Sequence, residues 1–522
     1  MRIRGGFFLC KKPQMLYNIY IESLGGAPLF KRFMCLFLAL MLPCIALADY
    51  VMAGYDPENV YRDWSKNQFM LRMEEKTGVS FTYQQYNKLT EWTKAKAAMT
   101  AGGDLPDVLF KAELTAAECI DMLDKGVLID LKPYLEQYCP NLMALLSVYP
   151  DALDAITLPD GRIATLPYIS EQPLQNIVWL NQDWLKNLNL SMPTTVDELT
   201  QVLRAFLERD PNRNARADEI PLAFIGPFDL KFLGHAFGLV ANDYNLFVSD
   251  DQVQFMPLEE QFRPFIEWLH MLYSEGMLDQ DGFNTSDTLR AVEDADKTNV
   301  YGGAITTMMS NFLPTDWLMS YAAMTPIAYN DTQVYRSFAG NVLTGTFAVT
   351  SACDNVAEVL SWVDQFYTEE VAILGTAGLV NVDYMVDGDG TWRMTEATKN
   401  NVYFTGETLI YSGGTAPGIS SDAFQRRFSE TAVQYVAEQA AMINEIAARP
   451  FPYYSLNYEQ EAYIAPLQAK IGRYVDESIA LWVMGEKKIT DESFAEFEST
   501  LKEMGLDAFM AFWQDVLDAQ KK

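Results

Sequence analysis

From residue 50 onward, strand-like and helix-like stretches alternate. Tyr50-Val51-Met52-Ala53 is short, apolar and stopped by Gly54. The next stretch is helical up to Glu74-Glu75-Lys76-Thr77-Gly78, where glycine suits the left-handed residue that ends a helix. Residues 79–86 alternate as a strand does, and a second helix covers about 91–100. Gly102-Gly103-Asp104-Leu105-Pro106-Asp107 turns the chain into the apolar strand Val108-Leu109-Phe110, and Thr115-x-x-Glu118 spells a capping box for the helix that follows. This alternation predicts an α/β fold with a mostly parallel sheet covered on both faces.

A second α/β unit repeats the grammar. Pro193-Thr194-Thr195-Val196-Asp197-Glu198 starts a helix, with Thr195 and Glu198 as its capping box. A helix over 262–273 runs to Gly276, residues 300–307 read as a buried strand, and Phe347-Ala348-Val349-Thr350 reads as another, followed by a helix through Trp362 and Phe366. The C-terminus is helical: Leu467, Ile471, Tyr474, Val475, Ile479 and Trp482 keep helical spacing, as do Phe494, Phe497, Leu501 and Met504. No low-complexity linker separates the units, which predicts that they are closely tied.

The first 48 residues read differently. Lys31 and Arg32 precede an apolar run over 33–42, and Ala46-Leu47-Ala48 supplies the small-x-small pattern of a signal-peptidase site. The stretch before Lys31 is longer than an ordinary n-region, which points to a start near Met15. Cys44 raises lipoprotein anchoring as the alternative to soluble secretion, but Pro43 stands where a lipobox wants a small residue. Beyond this segment the chain keeps Cys119, Cys139 and Cys353, too few for a disulfide framework.

With 522 residues, 49% of them hydrophobic, the chain has material for two sizeable cores. Its formal charge is −31. Without the first 48 residues, which carry six basic side chains and one acid, it is about −36. Such a surface repels nucleic acid and anionic lipid and suits neutral or cationic ligands.

Several stretches together resemble the family 1 extracellular solute-binding proteins of ABC importers, sugar class. Gly103-Asp104-Leu105-Pro106-Asp107-Val108 looks like that family's small-x-Pro-Asp-Val turn. Asp160-Gly161-Arg162-Ile163-Ala164-Thr165-Leu166-Pro167-Tyr168 resembles the approach to its first hinge, and Asn181-Gln182-Asp183-Trp184 the segment that follows. The end, from Tyr474-Val475-Asp476 through Gly485 to Met504-Gly505-Leu506, is similar to the subgroup of alginate-oligosaccharide binders. The resemblance implies a two-lobed, periplasmic-binding-protein-like fold with interleaved segments. The N-lobe would be 49–172 plus 343–370 and the C-lobe 173–342 plus 371–522, with crossings near 170–174, 340–346 and 368–373. It further implies a monomer that captures a carbohydrate and docks on separately encoded ABC permease subunits.

One local motif carries metal chemistry. Asp210-Pro211-Asn212-Arg213-Asn214-Ala215-Arg216-Ala217-Asp218-Glu219 places oxygen donors at positions 1, 3, 5 and 9 and a further carboxylate at 10, the spacing of the front half of an EF-hand loop. Asp210, Asn212, Asn214, Arg216 (by its carbonyl), Asp218 and Glu219 are the candidate calcium ligands, similar to a loop in the related oligosaccharide binders. Ala215 replaces the usual glycine at position 6, and Arg213 adds positive charge. A plain polar helix-to-strand loop is the other reading.

Sugar clefts combine aromatic platforms with carboxylates and amides, at the carboxyl ends of strands. The candidates by position are Trp64 after the first strand, Lys111 and Glu113 after Val108-Leu109-Phe110, Tyr168 at the hinge, Asn311 and Trp317 after the 300–307 strand, and Tyr384. Each has a packing role as its alternative. With only His235 and His270, no Gly-x-Ser-x-Gly and no Cys-x-x-Cys, the chain offers little for a triad or a histidine zinc site, and a non-enzyme is expected. A secreted glycoside hydrolase needs only two carboxylates, and the same fold could bind a peptide, a polyamine or another cationic solute, so both readings stay open.

Overall fold

The computed structural model describes residues 49–170, 176–284, 300–336 apart from 308, 310, 311 and 314, 342–411, 416–420, 422–429 and 431–520. The expected leader over 1–48 and part of the first two expected crossings therefore lie outside the described residues.

In chain order, β1 (Asp49–Tyr55), β2 (Ser80–Tyr86), β3 (Val108–Phe110) and β4 (Leu166–Ile169) come first, and β5 (Ile177–Asn181) follows. Next are the hairpin β6 (Leu246–Ser249) and β7 (Gln252–Phe255), then β8 (Gly303–Thr306), β9 (Tyr321–Ala323) and β10 (Tyr335–Arg336). β11 (Val342–Val349), a second hairpin of β12 (Tyr384–Val386) and β13 (Trp392–Met394), β14 (Gly418–Ile419) and β15 (Ala447–Ala448) complete the set.

Six strands form one sheet in the order β14-β4-β11-β3-β1-β2. β1 is parallel to β2 and β3, and β14 to β4, whereas β11 is antiparallel to both neighbours. Period-two alternation sorts its side chains. Met52, Phe110 and Phe347 join one core with Trp362, while their chain neighbours Ala53, Leu109 and Ala348 join the other with Trp92. Both faces are covered, as the alternation predicts.

The second sheet, β8-β5-β9, departs from expectation. β5 is antiparallel to both partners, and parallel pairing survives there only as bridges such as Ile220 with Tyr301 and Ala223 with Ala304. Its core gathers Trp179, Leu203, Phe224, Leu269 and Ile305 and takes in the C-terminal stripe through Ile471, Val475, Ile479, Trp482, Phe497 and Leu501. The chain passes between these two main cores more than once.

The crossings differ from the sequence reading in one place. Thr368 caps the helix Glu369–Ala377, and its Val371 and Ala372 pack in the first core. Ile410, Ala416 and Ile419 pack there too, because β14 adds an edge strand beside β4. The passage to the second core therefore falls after Ile419, not at 368–373.

Helix ends follow the local code. Asn67 caps Gln68–Thr77, and Gly78, at φ 76°, closes it. The Thr115–Glu118 capping box forms. At the helix Val196–Glu208, Thr195 accepts from the Glu198 amide, but the Glu198 carboxylate reaches one residue further, to the Thr194 amide and hydroxyl, both at 2.8 Å.

Candidate ligand and metal sites

β1 and β3 end side by side, and the next residue of each is charged: Asp56 and Lys111. The Asp56 carboxylate takes Arg62 Nη1 on both oxygens, at 2.8 and 2.7 Å, Lys111 Nζ at 3.1 Å and Trp64 Nε1 at 2.8 Å. All four side chains are buried. One carboxylate is thus shared between two cations in a dry setting. Burial, and then the Arg62 charge, pull the Lys111 ammonium down to about 8, although Asp56 works the other way.

The same groups hold a distant segment. Arg62 donates to the Leu409 and Thr405 carbonyls, Lys111 to that of Ile410, and Asn67 Nδ2 to those of Gly406 and Leu409. Residues 405–410 are thereby laid across the carboxyl ends of the parallel strands, where open α/β sheets take their ligands.

The sequence candidates fall into separate environments. Trp64 and Lys111 meet at Asp56, each 0% exposed, so neither offers a surface to a ligand. Glu113 sits beside them, half-buried and, like Lys111, with a left-handed backbone (φ 49° and 50°). Tyr168 is half-buried in β4, its ring 5.4 Å from that of Tyr411. Trp317 is half-buried in the turn Thr315–Ser320 against the second core. Tyr384 is enclosed in its hairpin, edge-on to Trp392 and Phe424. Asn311 lies outside the described residues. Sequence reasoning missed Asp56 and Arg62; their signal is a carboxylate one residue beyond a strand with arginine six residues on.

The 210–219 loop turns its side chains inward. Asp210 accepts from the Asn214 and Ala215 amides (3.0 and 3.1 Å), Asn212 from Asn214 (3.1 Å), and Asn214 from Arg216 (2.7 Å). The Asn212 and Asn214 side-chain amides both donate to Asp218. Asp210, Arg213 and Ala215 have φ between 45° and 59°. Glu219 Oε1 is buried with no hydrogen-bond partner, and its carboxyl is raised by burial first, then by the Asp218 and Asp210 charges. A hard cation would satisfy that orphaned oxygen, so the donor set fits calcium chemically. Among the described residues no three His, Cys, Asp or Glu side chains converge as a metal cluster; two of the loop's donors are amides.

No protein-family model matches the chain. Over 486 residues, 88% of this chain and 88% of the relative, it is 25% identical to the fructooligosaccharide ABC transporter substrate-binding protein FusA of Streptococcus pneumoniae. In sequence and fold the chain is similar to the substrate-binding proteins of ABC transporters. A solved structure of a FusA EF-hand mutant with fructo-nystose covers 91% of this chain and 99% of its own, at 22% identity and a TM-score of 0.68. Alginate-binding AlgQ2, solved without calcium ion, covers 90% and 98% at 21% identity, with a TM-score of 0.64. At these identities the structures speak for the fold. The protein stands with transport proteins and not with enzymes, and none of its described helices is long and apolar enough to cross a membrane.

Proposed function

We propose that this protein captures a neutral oligosaccharide between its lobes and delivers it to the permease subunits of an ABC importer. The observation that carries this reading is the similarity to FusA along 88% of both chains. Charge argues against an anionic cargo. The formal charge is −31, and among the described residues the buried cations each have an acidic partner: Arg62 and Lys111 share Asp56, Lys96 has Glu118, Lys231 has Asp476 and Arg336 has Asp243. A uronic-acid saccharide would enter a repulsive field.

In this reading the lobes are 49–170 with 342–419, and 176–336 with the C-terminal helices. Glu113, Tyr168 and Trp317 keep open surface, Asn311 is retained by position, and Trp64, Lys111 and Tyr384 act from behind. Ligand contacts to both lobes favour closure, which the importer reads. Arg449 spans the lobes to Asp151 at 3.2 Å while lying over the Tyr453 ring. The 210–219 loop holds structural calcium through Asp210, Asn212, Asn214, the Arg216 carbonyl, Asp218 and Glu219. Residues 1–48 direct export, and the mature protein works outside the cytoplasm, soluble or held by Cys44.

A thermal-shift panel of neutral oligosaccharides, uronic oligosaccharides, peptides and polyamines tests the cargo. A ligand at 100 times its Kd adds about 2.7 kcal/mol. Neutral saccharides should shift the melt; a shift with polyamines or uronates alone refutes the assignment.

A further inference from the structure

Resting on that reading, we propose that Tyr61 and Tyr403 form an aromatic corner that stacks a sugar ring of the bound oligosaccharide. Nothing in the sequence patterning singles them out, because they lie 342 positions apart and neither belongs to an apolar stripe. The fold brings their rings to 6.3 Å between centroids at 85°. Both remain largely in solvent, Tyr61 at 73% and Tyr403 at 56% exposure.

Their position is built. Tyr61 lies in the loop that leaves the carboxyl end of β1, and Tyr403 stands two residues before the segment laid across the ends of β1 and β3. Tyr61 holds a left-handed backbone, φ 54°, which is unfavourable for a bulky residue. The next residue, Arg62, is locked in both directions: to Asp56 within the loop and to the Leu409 and Thr405 carbonyls opposite. Gly406 sets the approach, since a Cβ there would stand 2.3 Å from the Val60 carbonyl oxygen and 2.9 Å from that of Tyr61. A buried ion cluster thus fixes a strained loop against a second segment. The visible product is two exposed rings at right angles.

No described core claims these rings. A pyranose or furanose ring supplies what they lack: an apolar C–H face for the ring surface and hydroxyl edges for the phenol oxygens. The corner takes rings without reading charge, in keeping with a neutral cargo.

The test titrates wild type, Tyr61→Ala, Tyr403→Ala and Tyr61→Phe with kestose, maltotriose, cellotriose and xylotriose by calorimetry, with melting temperatures alongside. For whichever saccharide binds wild type, each alanine variant should weaken affinity about tenfold or more, and Tyr61→Phe should retain most of it. The melting temperatures of the variants should stay close to wild type, because the rings are exposed. Wild-type binding with both alanine variants within twofold of it overturns the aromatic corner alone. An alanine loss that tracks a collapsed melting temperature, with Tyr61→Phe equally weak, overturns it as well. Absence of any saccharide binding by wild type overturns the corner together with the reading beneath it.

Discussion

Arg62 grips both carboxylate oxygens of Asp56, at 2.8 and 2.7 Å, with neither side chain exposed to solvent. Removing one partner of such a pair leaves uncompensated charge in the interior, worth about 3–5 kcal/mol. Asp56→Asn strands both Arg62 and Lys111. Urea unfolding should therefore show a loss of that order, and saccharide affinity should fall as residues 405–410 lose their anchor. A loss below about 1 kcal/mol would contradict a structural role for the cluster.

Lys111 adds a pH signature. Its folded value is about 8, against the ordinary lysine value of 10.5. Between the two, the unfolded chain binds the extra proton, so its contribution to stability rises as pH climbs from about 8 to 10.5. Lys111→Met deletes that contribution. The stability of wild type minus that of the variant should increase across this window, and a flat difference would count against the buried ammonium.

Asp229 gives the opposite slope at lower pH. Burial raises it to about 7, against the pull of the Ile225 amide and the Asn176 side chain, the latter at 2.6 Å. A carboxyl raised on folding contributes stability that is full below about 4 and lost as pH rises towards 7. Asp229→Asn should flatten the wild-type decline between those limits in a pH series of thermal melts. An unchanged slope would assign the decline to other groups.

The 210–219 loop predicts a calcium response. Chelation should lower Tm, added calcium should restore it, and Asp218→Ala should abolish the difference. Ala215 stands at φ 59°, where a Cβ is costly, so Ala215→Gly should stabilise the protein by about 1 kcal/mol or tighten calcium binding. Equal melts with calcium and chelator would show a plain polar loop instead.

The sequence made the first sheet legible, because strands and helices alternate over 49–110 and Asn67, Gly78 and Thr115 mark the helix ends. It was less informative about β14, only two residues long, whose pairing with β4 depends on a return of the chain from far away. The second sheet hides its antiparallel pairing for the same reason. At the candidate site, position after a strand drew attention to Trp64, Lys111 and Glu113, which the fold gathers at one strand edge. Burial was not readable, since it comes from Asp56, Arg62 and residues 405–410 closing over them. Tyr61 and Tyr403 were invisible because their relation exists only across 342 positions.

The central claim is capture of a neutral oligosaccharide without chemistry. The decisive measurement is calorimetric titration of the chain from Asp49 onward, with calcium, against the saccharide that shifts its melt, followed by chromatography of the recovered ligand. The account predicts one site per chain and saccharide recovered intact. Consumption of the saccharide, or absence of binding by any neutral oligosaccharide, would contradict it.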